Sequence, residues 1–108
     1  MLKTLEDVIE RLVQVIRPQK VFLFGSRARN DAEPDSDIDL LVVADLPGTR
    51  IERTAMVSRA LRPRDVSLDL LVYTPQEFDL LAREPGSFVR YIIEKGRLIH
   101  DAEGRTMA

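Results

Sequence analysis

Asp37 and Asp39 stand two residues apart at the head of the run Ser36-Asp37-Ile38-Asp39-Leu40-Leu41-Val42-Val43. On a strand they project to the same side, about 6.5–7 Å apart along the backbone. Like charges so placed repel unless a cation lies between them, and hard oxygen ligands of this kind suit magnesium, commonly held by one or two carboxylates and a substrate's phosphates. Just upstream, Phe24-Gly25-Ser26-Arg27-Ala28-Arg29 supplies a tight turn after an apolar run. Gly25 admits close backbone approach, and Ser26 brings a hydroxyl and an amide to the start of a short helical turn, where free N–H groups favour phosphate. Arg27 and Arg29 either neutralise phosphate charge or pair with Asp31 or Glu33. The turn lacks the ending of a Walker A loop and the spacing of a dinucleotide fingerprint. A third acid, Asp69, interrupts the apolar run Val66 to Tyr73. Buried there without a partner, it would cost several kcal/mol, roughly, unless a metal, a cation or hydrogen bonds compensated. Turn, acidic pair and third acid together describe a metal–nucleotide site.

These groups need rigid elements to hold them. Thr4-Leu5-Glu6-Asp7 has the form of a capping box, and Leu5, Val8, Ile9, Leu12, Val13 and Ile16 follow at helical spacing, so a helix runs up to the breaker Pro18. Val21 to Phe24 reads as a buried strand delivering the Gly25 turn. The segment Asn30 to Ser36 is rich in turn formers. The next strand, Asp37 to Ala44, places Ile38, Leu40 and Val42 on one face. Its other face changes from acidic to apolar, as at a strand leaving the core for a site at its edge. After Pro47-Gly48, Thr49 caps a helix reaching about Leu61. Val66 to Tyr73 forms a third strand. Thr74-Pro75-Gln76-Glu77 combines N-cap, first-turn proline and capping-box glutamate ahead of a helix over Gln76 to Arg83. Ser87 opens another helix to Lys95, Gly96 caps it, and Arg97 to His100 adds a short edge strand. Asp101 to Ala108 reads as a frayed tail. The pattern predicts one α/β (α+β) domain over residues 1–100, a small mixed sheet flanked by helices, with the strand order open.

Composition narrows the function. A chain of 108 residues with 44% apolar content and a formal charge of -2 is about one domain, without the overall basic character of a nonspecific nucleic-acid binder. Without cysteine it has no disulfide or thiolate zinc site and suits a reducing compartment. No run approaches the roughly 18–20 apolar residues of a membrane span, so the expected location is cytoplasmic. Arg50, Arg53, Arg59, Arg62 and Arg64 read as a solvated helix face, with a surface for an acidic partner as the sharper alternative. His100, the single histidine, has no acidic or nucleophilic neighbour in motif spacing. Phe88, Tyr91 and Ile92 read as core or partner interface.

Gly25-Ser26-Arg27-Ala28-Arg29, Pro34-Asp35-Ser36-Asp37-Ile38-Asp39-Leu40 and Leu68-Asp69-Leu70, in that order, resemble the motifs of the minimal nucleotidyltransferase family, a small branch of the polymerase-beta-like nucleotidyltransferase fold. The resemblance covers roughly Val21 to Glu77. Asn30 departs from a frequent glycine, but asparagine tolerates the left-handed conformation that the turn needs. The resemblance implies that Gly25 and Ser26 hold a nucleoside triphosphate, ATP where AMP is the group transferred, with Asp37 and Asp39 binding two magnesium ions. It further implies that Asp69 helps bind the catalytic metal and activates the attacking hydroxyl. Family members resemble the antitoxin half of a toxin–antitoxin pair whose toxin is a helical HEPN ribonuclease, and the implied reaction is AMP transfer to a toxin tyrosine. Two other readings stay open: an antitoxin that binds nucleotide and acts by contact alone, and a transferase for a small hydroxylated molecule.

Overall fold

The computed structural model describes residues 1–30 and 36–104. In chain order the elements are α1 (Leu5–Val15), β1 (Lys20–Phe24), β2 (Ile38–Val43), α2 (Arg50–Ala60), β3 (Leu68–Tyr73), α3 (Pro75–Ala82), α4 (Phe88–Lys95) and β4 (Arg97–Asp101). Threonine capping boxes start three of the helices. Thr4 with Asp7, Thr49 with Glu52 and Thr74 with Glu77 each exchange side-chain and backbone hydrogen bonds, satisfying donors that the first helical turn leaves open. Ser87 caps α4 through the Arg90 N–H at 3.0 Å.

The sheet is mixed, in the order β3-β2-β1-β4. β1 runs antiparallel to both β2 and β4, while β2 and β3 are parallel. One sheet face carries Val21, Leu23, Leu40, Val42, Leu70 and Val72, which pack with Val8 and Leu12 of α1 and Val57 of α2. The opposite face carries Phe22, Leu41, Val43 and Tyr73, covered by Phe78 of α3 and Val89 and Ile92 of α4. Phe22 and Phe78 stack there with ring centroids 5.6 Å apart. Gly96 lets α4 close tightly on the sheet, because a Cβ at that position would lie 2.7 Å from the Leu23 carbonyl oxygen and 2.7 Å from that of Ile92.

Two expectations change. Asp101 to Gly104, expected within a frayed tail, are a strand end and a turn. Asp101 is buried and lies 3.4 Å from Lys20 Nζ, the Ala102 N–H donates to the Gln19 carbonyl at 2.9 Å, and the Gly104 N–H donates to the Asp101 carbonyl at 3.0 Å. The rest of the expected tail, residues 105–108, lies outside the described residues. Arg53, read as part of a solvated basic face, is instead 3% exposed. Its guanidinium donates to the Gly48 and Val72 carbonyls and to Glu77 Oε1, so a charge on α2 is bonded to the loop before it, to β3 and to α3. Arg50 is also occupied, donating to the Tyr73 hydroxyl at 3.1 Å, and Arg64 donates to the Ser58 carbonyl at 2.9 Å.

Partial burial pushes the Glu77 carboxyl up, but the Thr74 backbone N–H and Arg53 outweigh it and hold the group below the usual glutamate range. A depressed carboxyl stabilises the fold above its unfolded value and loses that contribution as pH falls through the folded value. Glu77→Ala removes both the helix cap and the partner of a buried guanidinium. It is expected to cost about 1–3 kcal/mol at pH 7, with the difference from the parent protein shrinking on acidification, as read by thermal melts across pH.

Candidate functional site

Three strands bring the candidate residues to one edge of the sheet. Phe24 of β1 pairs with Asp39 of β2, and Asp39 pairs with Asp69 of β3. Directly opposed residues point to the same face, so Phe24, Asp39 and Asp69 form a row across the sheet. The row lies on the face covered by α3 and α4, at the end where Leu41 and Leu71 give way to carboxylates. Asp37 is exposed just ahead of β2, and its charge acts on Asp39.

Gly25 follows the row's first residue directly and adopts φ +75, a conformation that L side chains rarely take. A Cβ built there would sit 2.1 Å from Asp39 Oδ2. The glycine is therefore needed twice, for the turn and for the space in which the Asp39 carboxylate rests. Beyond it, the Arg29 N–H donates to the Gly25 carbonyl at 3.3 Å and to the Ser26 carbonyl at 3.2 Å, the expected short helical turn. Asn30 takes φ 62, as its tolerance of the left-handed region allows. Arg27 has a structural task in this turn. Its Nη2 and Nε donate to the Ser36 carbonyl at 2.8 and 3.2 Å, tying the turn to the entry of β2. The alternative partners Asp31 and Glu33 lie outside the described residues.

Asp69 differs from its expectation. It is exposed, because β3 begins at Leu68 rather than at Val66 and Asp69 is only its second residue. Its charge therefore carries no burial cost. Among the described residues Asp69 has no salt bridge, so the structural ion pair weighed as the alternative is not formed there.

The electrostatics centre on Asp39. Partial burial, then the charges of Asp69 and Asp37, push its carboxyl above the usual aspartate range, against the opposing pull of Arg27 and Arg29. Among the described residues no three Asp, Glu, His or Cys side chains are already gathered as a metal-binding cluster. The acids stand side by side instead of converged. Their all-oxygen donor set and mutual repulsion fit a hard divalent cation whose remaining ligands come from phosphate and water.

His100 pairs with Val21, three residues along β1 from Phe24, and so lies away from the row. Two features escaped the sequence reading. Phe24 reads there as an ordinary strand residue, and its place beside Asp39 depends on a register that sequence periodicity does not contain. The Ser36 carbonyl gives no sequence signal at all.

Residues 2–104 match the nucleotidyltransferase domain family. The chain belongs to that family. This nucleotidyltransferase is 31% identical over 84 residues to a Methanocaldococcus jannaschii protein named "Putative protein adenylyltransferase MJ0604", covering 78% of this chain and 80% of the relative. Its fold is similar to that of a Sulfolobus solfataricus protein described as "a putative nucleotidyltransferase", with TM-score 0.65, 26% identity and coverage of 94% and 81% of the two chains. It also resembles a chain of a toxin–antitoxin structure solved with AMP-PNP, with TM-score 0.57, 23% identity and coverage of 91% and 74%. The small α+β architecture and the motif order fit the minimal nucleotidyltransferase resemblance. No helix among the described residues is long and apolar enough to cross a membrane.

Two outcomes test the site's physics. Gly25→Ala is expected to lower nucleotidyl transfer by roughly 10²-fold by displacing the Asp39 carboxylate, at a stability cost of about 1–2 kcal/mol for the left-handed backbone. Asp39→Asn is expected to do the reverse to stability. An aspartate raised in the folded state binds more protons there than in the unfolded chain, so stability falls as pH rises through its titration. Removing the charge should raise the melting temperature of the nucleotide-free protein near neutral pH, and the gain should vanish below the ordinary aspartate range.

Proposed function

We propose that this nucleotidyltransferase moves AMP from ATP to a hydroxyl on a partner protein, a tyrosine of a HEPN-type ribonuclease toxin, and thereby acts as an antitoxin. The observation that carries the reading is the seating of the Asp39 carboxylate over Gly25, in register with Asp69. It joins a turn suited to phosphate and a row of carboxylates into one site. The protein-adenylyltransferase name of the M. jannaschii relative and the fold shared with a toxin–antitoxin chain support the choice of acceptor.

In this reading Gly25 and Ser26 receive the triphosphate, with Arg29 adding positive charge beside it and Arg27 keeping the turn in place. Asp37 and Asp39 would hold two magnesium ions, with Asp69 contributing to one of them. Bound there, the ions would neutralise charge on the phosphates and on the attacking and leaving oxygens of an in-line displacement. The acceptor oxygen attacks the α-phosphorus, forming a new P–O bond as the bond to the bridging oxygen of the β-phosphate breaks. Pyrophosphate leaves with that electron pair. The Asp69 carboxylate, exposed at the third position of the row, takes the hydroxyl proton.

The test is co-purification of an untagged partner from the native host, followed by its intact mass and by incubation with ATP radiolabelled at the α-phosphate. Label and the added mass of an AMP group on the partner are expected, with loss in Asp37→Asn and Asp39→Asn while the complex persists. Label on neither protein nor metabolite would favour an antitoxin acting by contact alone, and label on a small molecule would favour a metabolite transferase. Asp69→Asn should lower the single-turnover rate more than ATP affinity, and Ser26→Ala should do the opposite.

A further inference from the structure

The carboxylate row does not end at β1. Phe24, its first residue, meets Phe88 of α4 edge to face with ring centroids 5.6 Å apart. Phe88 in turn stacks on Tyr91, one helical turn along, with centroids 6.0 Å apart and an interplanar angle of 9°. An unbroken run of three rings therefore leads outward from the residue beside Asp39 and just before Gly25. Its outer two members are unusually open for large aromatic groups, with Phe88 51% and Tyr91 48% exposed. The ring positions are set by elements rather than by loops. Ser87 caps α4 one residue before Phe88, while Val89 and Ile92 are buried against the sheet and fix which helix face turns outward.

We propose that Phe88 and Tyr91, continued by Phe24, are the stacking seat for the base of the nucleotide whose phosphates lie at the Gly25 turn. The strand order selects this occupant over the acceptor. In β3-β2-β1-β4, the aromatic run sits on the β1 side, next to the turn assigned to phosphate. Asp69, assigned to the attacking hydroxyl, lies two strands away on β3, so the acceptor's approach falls on the opposite side of the row. A planar heteroaromatic base gains offset or edge contacts on such rings, and stacking of this kind tolerates any base because each has a π-face. The seat therefore binds the nucleotide without selecting strongly among bases. The inference rests on the phosphate reading of Gly25 and Ser26.

The experiment separates the two. Affinities for ATP, CTP and inorganic tripolyphosphate, each with magnesium, are measured on the wild type, Phe88→Ala, Tyr91→Ala, the double variant and the conservative variant Tyr91→Phe. The expected result is an ATP affinity loss of about five- to a hundredfold in each alanine variant, the range of a lost base stack. Tripolyphosphate affinity should stay unchanged in the same variants, Tyr91→Phe should behave as wild type, and CTP should lose affinity together with ATP. Unchanged ATP affinity in the double variant overturns the seat. So does a parallel loss of ATP and tripolyphosphate, which would make the pair a structural support. Retained ATP affinity with loss of the co-purified partner would assign the rings to protein docking and also overturn it. If wild type bound tripolyphosphate no better than Ser26→Ala and Asp39→Asn do, the phosphate reading itself would fall, and the seat with it.

Discussion

The contact between Gly25 and the Asp39 carboxylate is the constraint on which the site depends. A side chain at position 25 would occupy the place of Asp39 Oδ2, 2.1 Å from a Cβ, and would have to adopt φ +75 to do so. One missing methyl group thus serves both the turn and the carboxylate that lies over it. Everything nearby keeps these two in place. The antiparallel pairing of Phe24 with Asp39 fixes their height along the strands, and Arg27, bonded to the Ser36 carbonyl, closes the turn onto the start of β2. The fold thereby brings the turn and the row of carboxylates together at one residue pair.

That arrangement concentrates negative charge at a sheet edge. Partial burial, then the charges of Asp69 and Asp37, raise the Asp39 carboxyl against the pull of Arg27 and Arg29. A protein selected for stability alone would have little reason to keep the cluster, since like charges on neighbouring strands repel. Such repulsion is relieved wherever a cation joins the carboxylates. The exposure of Asp69 belongs to the same logic. An acid at the second position of a strand stays in water, where its charge carries little desolvation cost.

Much of this was legible in the sequence because it is local. Thr4, Thr49, Thr74 and Ser87 announce helix starts by chemistry confined to one turn, and the change from acidic Asp37 and Asp39 to apolar Leu41 and Val43 marks where one face of β2 leaves the core. The motif order, with Gly25-Ser26 followed by Asp37-x-Asp39 and Asp69, indicates the kind of site. Long-range geometry is not local and was not legible. Strand order and register decide that Phe24 stands beside Asp39, and a shift of one residue would have put them on opposite faces. Arg53 shows the same limit. Within a run of arginines its composition reads as solvated surface, yet three acceptors from separate parts of the chain make its burial tolerable. Asp69 fails for a smaller reason, because the strand starts two residues late and an acid expected inside it lies at its mouth.

The two sheet faces divide the work, and the point where the covering helices stop is what creates a site. α1 and α2 bury their face along its length, from Val21 through Leu40 to Val72. On the other face α3 and α4 cover Leu41, Val43 and Tyr73 but leave the row Phe24, Asp39 and Asp69 at the margin. Moving that cover forward by one residue pair would bury carboxylates at a cost of several kcal/mol, roughly. Moving it back would expose Leu41 and Leu71 to water. The Arg53 to Glu77 ion pair and the cap of α3 hold one end of the cover, and the close approach of Gly96 to Leu23 holds the other. With both ends pinned, α4 places the exposed ring of Phe88 against Phe24, the first residue of the row. The helices that complete the core thereby also set how far the site opens.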